Sequence, residues 1–178
     1  AIGLESHIQG EAQIAGQLKN WLRKNNLPYF LQEFWQRVFT FSDEIRLRSG
    51  LDQDNSGIAG VVFKDIKNHF DQESPVNIIV LGTGNIAQLL ASFCPGWAKL
   101  NFAAHKNYQK ARILSAVNNG KPILLRDLQQ EIIHAQVLIA ATASPHYILD
   151  KEHFSRISPG LHVYDLSFPR AINPEVRN

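Results

Sequence analysis

Residues 76–93, VNIIVLGTGNIAQLLASF, decide how this chain folds: an apolar run passes through two glycines into a helical pattern. Val76, Ile78, Ile79, Val80 and Leu81 have the near-continuous, β-branched character of a parallel strand covered on both faces. Gly82 then allows a sharp turn, Gly84 lets backbone amides approach a pyrophosphate, and Ala87 takes the third position of G-x-G-x-x-G/A, where helix packs on strand. The helix beginning near Asn85 would turn its free N–H groups and positive end toward the phosphates. The motif alone is weak, and a strand-to-helix turn that binds nothing is the alternative. The flanking strand, the amphipathic helix and the strand-helix units downstream favour a dinucleotide site.

Those units follow in order. Residues 98–104 read as a second strand and 108–117 as a helix. Residues 122–125 read as a third strand, 128–133 as a short helix, and 136–142, QVLIAAT, as a fourth buried strand. The loop after it holds His146, which either reaches cofactor or substrate or is simply a polar loop residue. A short helix over 150–157 and a fifth strand over 161–166 complete an α/β, Rossmann-type, doubly wound parallel sheet. In NAD-binding domains an Asp or Glu about twenty residues beyond the glycines holds the ribose 2′-hydroxyl. Here His105 and Lys106 stand there instead, offering positive charge to a 2′-phosphate, so NADP is expected over NAD. A solvated Lys at a helix start is the competing reading.

Upstream, residues 6–26 read as a helix with Ser6 and Gln9 as a capping box, and Gln13 and Gln17 share one of its faces. A second helix over 29–48 carries an aromatic stripe, Phe30, Phe34, Trp35, Val38, Phe41 and Ile45, expected to pack into a core. Residues 52–57 imitate the start of a calcium loop, but Phe63 stands where the bidentate Glu is required, so no metal site is expected. Asn55 and Ser56 instead look like caps of a third helix reaching Phe70, in which Gly57, Ala59 and Gly60 permit close packing. The polar connector 71–75 is the expected boundary between a helical segment, 1–71, and the nucleotide domain, 72–178.

At 178 residues and 44% hydrophobic content the chain can bury a real core, and a net charge of +2 gives no bulk electrostatic case for nucleic acid. The lone Cys94 permits no internal disulfide, which fits a reducing cytoplasm, and without a basic neighbour it reads as a packing residue. No apolar run approaches a membrane span, so a soluble chain is expected. The sequence contains no Met. Ala1 is therefore not an intact translation start, and a processed or partial chain is expected.

Four stretches together resemble one family. Gly3-Leu4-Glu5-Ser6, Gly10-Glu11-Ala12-Gln13-Ile14 and Gly16-Gln17-Leu18-Lys19 repeat, at unbroken spacing, the GL(D/E)S...GExQI.GQ.K signature of glutamyl-tRNA reductases. GTGNIA, HKNYQKA and VYDLSFPRAINPEV follow in the family's order, so the resemblance covers essentially the whole chain. It implies NADPH-dependent reduction of glutamyl-tRNA to glutamate-1-semialdehyde, the first step of C5 tetrapyrrole (haem) synthesis, through a cysteine thioester. It implies a glutamyl pocket at Ser6, Glu11, Ala12, Gln13 and Gln17, and makes residues 1–71 the C-terminal part of a catalytic domain. The cofactor site would comprise Gly82, Thr83, Gly84, Asn85, Ile86, Ala87, His105 and Lys106. The nucleophilic Cys and its nearby His would lie before Ala1, and the family's C-terminal dimerisation domain is missing, so this chain should not complete the thioester chemistry and no homodimer is predicted from it. Glutamate-1-semialdehyde aminomutase is a candidate partner for product transfer. Two other readings compete: a shikimate-dehydrogenase-like NADP oxidoreductase, which calls for a catalytic Lys and Asp in the N-terminal part, and a non-catalytic nucleotide-binding module.

Overall fold

The computed structural model describes residues 13–49, 57–70, 74–155, 157 and 160–177. They fall into two compact units, Ala1–Val61 and Val62–Asn178. The first holds α1, Gln13–Lys24, and α2, Tyr29–Ser49. Pro28 sets the start of α2, its carbonyl accepting the N–H groups of Leu31 and Gln32. Lys19 ties the two helices together, donating to the Asp43 carboxylate at 3.0 Å while its Nζ lies 5.1 Å from the Phe39 ring centroid. The helix α3, Gly57–His69, is shared between the units. The expected caps Asn55 and Ser56, the calcium-like loop 52–56 and the start of the first helix lie outside the described residues.

The aromatic stripe of α2 is corrected by the structure. Phe30, Phe34 and Phe41 are 68%, 55% and 64% exposed, whereas Phe39 and Ser42 are buried. At about 100° per residue the three exposed phenyls cluster within roughly 40° of one another. Ser42 and Phe39 lie about 100° or more from the centre of that cluster, and Trp35, half-buried, sits between them. The helix therefore buries the face beside the densest aromatic row.

In the second unit β1 (Val76–Leu81), β2 (Ala98–Ala104), β3 (Ile123–Leu124), β4 (Val137–Ala140) and β5 (His162–Asp165) form one parallel sheet in the order β3-β2-β1-β4-β5. The crossovers carry α4 (Asn85–Ser92), α5 (Tyr108–Ala116), α6 (Leu128–Glu131) and α7 (Lys151–Phe154). This is the doubly wound architecture expected from the sequence, with β1 central and paired to both β2 and β4. Every residue of β1 except Asn77 is buried, as the apolar run requires. Ile79 and Leu81 pack with Leu128, Ile132, Leu138 and Leu149, each such side chain contributing about 1.5–3 kcal/mol of burial. The strands are shorter than the apolar runs: β4 ends at Ala140 because Leu81, its last partner on β1, ends there too. The helical stretch after β3 is α6 flanked by two 3₁₀ turns.

A buried asparagine locks the lower part of the sheet. Asn101 on β2 donates to the Asn77 side chain at 2.6 Å and the Ile78 carbonyl, and accepts the Lys121 N–H at 3.0 Å. The Asn77 side chain in turn donates to the His134 carbonyl and its backbone N–H donates to Gln136 Oε1, both at 2.7 Å. Among the described residues no buried side-chain polar atom lacks a partner, so the network carries no desolvation penalty of the unpaired kind.

Two predictions follow from this packing. A Cβ at Gly120, in the turn between α5 and β3, would sit 1.7 Å from the Leu100 carbonyl oxygen, while one at Gly96 meets nothing within 4 Å. Gly120→Ala should destabilise the chain by about 2–3 kcal/mol in urea unfolding, and Gly96→Ala should leave the midpoint nearly unmoved. Tyr164 on β5 donates to Asp65 on α3 at 2.7 Å, and burial, helped by that carboxylate, pushes its phenol above the usual range. The stability from this shift is complete below the ordinary phenol pKa and lost as pH rises through the raised one. Tyr164→Phe should cost about 1 kcal/mol near neutral pH, less in strong alkali, and should remove the last-ionising tyrosine from a phenolate absorbance titration.

Candidate dinucleotide site

At the carboxyl end of β1 the chain turns where the sequence placed its glycines. Gly82 has φ +112°, a conformation that side chains disfavour, and a Cβ there would lie 2.5 Å from the Ala141 carbonyl oxygen. Its N–H donates to the Ala103 carbonyl at 2.8 Å, so the turn is wedged between β2 and the end of β4. Thr83 is buried, Gly84 and Asn85 are exposed, Ile86 is half-buried, and Ala87 is fully buried against the sheet. Each takes the position that G-x-G-x-x-A demands. Gly84 is the N-cap of α4 and no side chain caps it, which leaves the first-turn N–H groups to meet a ligand. A Cβ on Gly84 would meet only the Ala141 oxygen, at 3.9 Å, so the backbone there faces open space.

One strand over, β2 delivers His105, Lys106 and Asn107, all exposed, to the start of α5. Lys106 makes no ion pair among the described residues. The surroundings are more one-sided than its single charge suggests: residues 74–126 contain Lys99, Lys106, Lys110, Arg112, Lys121 and Arg126 and no Asp or Glu. Lys121 and Arg126 are neutralised by Glu131 and Asp127 from outside that stretch, which leaves Lys106, Lys110 and Arg112 as the field around the β2–α5 end. A count of carboxylates along the chain would have found this signal.

On the other side of β1, the β4 and β5 loops are cross-linked. Ser167 Oγ accepts the Thr142 N–H at 3.2 Å, and the Asp165 carboxylate accepts the N–H groups of Ser167, Ala171 and Ile172, each at 3.0 Å. Sequence reading missed Asp165, whose role comes from three amides that only the folded loop brings together. His146 is exposed, with its carbonyl accepting the Ser144 hydroxyl at 2.9 Å. Cys94 is half-buried, its Sγ 3.6 Å from two carbonyl oxygens, and burial pushes its thiol up to about 11. It is a packing residue with no thiolate character.

The expected glutamyl-pocket residues divide. Ser6, Glu11 and Ala12 lie outside the described residues, and Gln13 begins α1 with its side chain undescribed. Gln17 is exposed on α1. Within the first unit a cleft of about 400 Å³ runs between α1 and α2, lined among others by Lys19, Arg23, Gln32, Trp35, Phe39 and Asp43. A second, of about 350 Å³, borders the outer edge of β5. Neither is lined by the glycine loop. No described helix is long and apolar enough to cross a membrane, and no described group of three or more His, Cys, Asp or Glu could hold a metal ion.

Residues 64–178 match the family model described as shikimate / quinate 5-dehydrogenase. Over 99% of its length the chain is 26% identical to a glutamyl-tRNA reductase from Methanococcoides burtonii, of which it spans 44%. The fold is similar to that of the glutamyl-tRNA reductase of Methanopyrus kandleri (TM-score 0.60, 21% identity, 99% of this chain and 47% of that one). It is also similar to the nucleotide binding domain of the Thermoplasma volcanium glutamyl-tRNA reductase (TM-score 0.53, 23% identity, 65% of this chain and 79% of that one). Matched by the family model along most of its length, and with glutamyl-tRNA reductases as relatives over almost all of it, the chain belongs to the shikimate / quinate 5-dehydrogenase family.

Proposed function

We propose that this chain supplies the nucleotide-binding part of a glutamyl-tRNA reductase, an oxidoreductase that uses NADPH to reduce glutamyl-tRNA to glutamate-1-semialdehyde for tetrapyrrole synthesis in the cytoplasm. The observation that carries this reading is the uncapped α4 terminus behind an open Gly84, flanked by a carboxylate-free, cationic β2–α5 end. Residues Gly82 to Ala87 would hold the pyrophosphate through backbone N–H groups. Lys106, with His105 beside it, would bind the 2′-phosphate by charge-assisted hydrogen bonds. When bound, the cofactor supplies the hydride that reduces a carbonyl carbon. Residues 1–71 would be the end of a catalytic domain, in which Ser6, Glu11, Ala12, Gln13 and Gln17 grip the glutamyl group. The nucleophile of the longer protein would not be Cys94, whose thiol, pushed up by burial to about 11, stays protonated at neutral pH. The homodimer and the hand-over to an aminomutase belong to the same proposal for the longer protein, of which this chain would be a little under half.

The test is a calorimetric titration of the chain with NADPH and with NADH. NADPH should bind more tightly, and Lys106→Ala should weaken it about tenfold or more while leaving NADH nearly unchanged. Equal loss for both removes the 2′-phosphate role, and no binding of either removes the dinucleotide reading.

One observation supports a second reading, a shikimate-type NADP oxidoreductase. Lys19 and Asp43, the residue types such an enzyme needs in its N-terminal part, pair at 3.0 Å along the α1–α2 cleft. It predicts NADP-dependent oxidation of shikimate or quinate, abolished in Lys19→Ala. Absence of turnover in the parent chain eliminates it.

A further inference from the structure

Phe168 is the most exposed of the large apolar side chains among the described residues, at 94%, in a loop that is hydrogen-bonded to the fold on both of its flanks. Ser167 beside it is buried and accepts the Thr142 N–H, and the Asp165 carboxylate gathers the amides of Ser167, Ala171 and Ile172. Four hydrogen bonds on its two sides hold the loop backbone, so the ring is carried from a fixed point of the chain. That place is close to the glycine turn. A Cβ on Gly82 would stand 3.3 Å from the Thr142 Cα, and Thr142 is the residue bonded to Ser167.

A dinucleotide in a doubly wound sheet lies across the strand-order reversal, here between β1 and β4, with its adenosine ribose at the end of β2. Lys106 marks that adenosine side. The other half of the molecule must then extend over the loops after β4 and β5, on the side where Phe168 stands.

Resting on the dinucleotide reading above, we propose that Phe168, held in place by Asp165 and Ser167, is the stacking wall for the nicotinamide half of the cofactor. An offset or edge contact between the phenyl and the pyridine ring suits the geometry of aromatic pairs and would cover the ring face turned away from the substrate, leaving the other face free for hydride transfer. It also gives the exposed ring an occupant of matching chemistry, flat and partly apolar.

The experiment compares two ligands on the whole chain, NADPH and adenosine 2′,5′-bisphosphate, which carries the adenosine half and the 2′-phosphate but no nicotinamide. Phe168→Ala should weaken NADPH about three- to tenfold and leave the bisphosphate unchanged, whereas Phe168→Tyr, which keeps the ring, should bind both as the parent does. Unaltered NADPH binding in Phe168→Ala, or equal loss for both ligands, overturns the stacking role while the dinucleotide reading stands. A parent chain that binds neither ligand overturns both together.

Discussion

The closeness of the Ala141 carbonyl to Gly82 is the constraint on which the nucleotide unit depends. The carbonyl lies where a side chain at Gly82 would put its first carbon, at 2.5 Å. It lies there because β1 and β4 run in register to Leu81 and Ala140 and end together. A glycine at this point lets the chain leave β1 with positive φ and enter α4 with its N-terminus over the crevice. Any other residue would part the central strands or turn away the uncapped N-terminus of α4.

Around that turn, charge is distributed by half. The β1-α4-β2-α5-β3 half has no carboxylate of its own between residues 74 and 126, while the β4-β5 half supplies Asp150 and Asp165 as internal acceptors. The first half thus offers free cations to phosphate groups. The second uses its acids to order loops, Asp165 by three backbone amides and Asp150 as the cap of α7, where the hydrogen bond from His153 is the main cause of its lowered pKa. Such a division suits a ligand that is highly charged at one end and nearly neutral at the other.

The helical unit obeys a different logic. Among the described residues its two helices are joined by the Lys19–Asp43 ion pair, with the Lys19 ammonium over the Phe39 ring, and they leave Phe30, Phe34 and Phe41 in solvent. An aromatic row of that kind looks like a core in the sequence because periodicity records which residues share a face. It does not record which of two adjacent faces finds a partner. The second unit gave no such trouble, since its central strands β1 and β4 are buried almost throughout and leave no choice of side to make.

By itself the sequence determined the five strands, their alternation with helices and the glycine turn. Each rests on local signals: β-branched runs, Gly-x-Gly spacing and the apolar periodicity of the short helices. The turn residues Gly82 to Ala87 and the exposed Lys106, which the proposal assigns to the cofactor, can be picked out in one dimension for the same reason, because they sit at fixed offsets from a strand end. Tertiary structure alone decided the strand order, the closing of Asn101 against Asn77 and Lys121, and the joining of Thr142 to Ser167 and of Asp165 to its three amides. These unite residues far apart in the chain, Ile78 with Val137 across the central strands and Thr142 with Ser167 between loops, through contacts that exist only once parallel strands have aligned their ends. A carboxylate or a phenyl ring has the same one-dimensional signature whether it faces water or orders a site, and only the folded backbone gives it a direction.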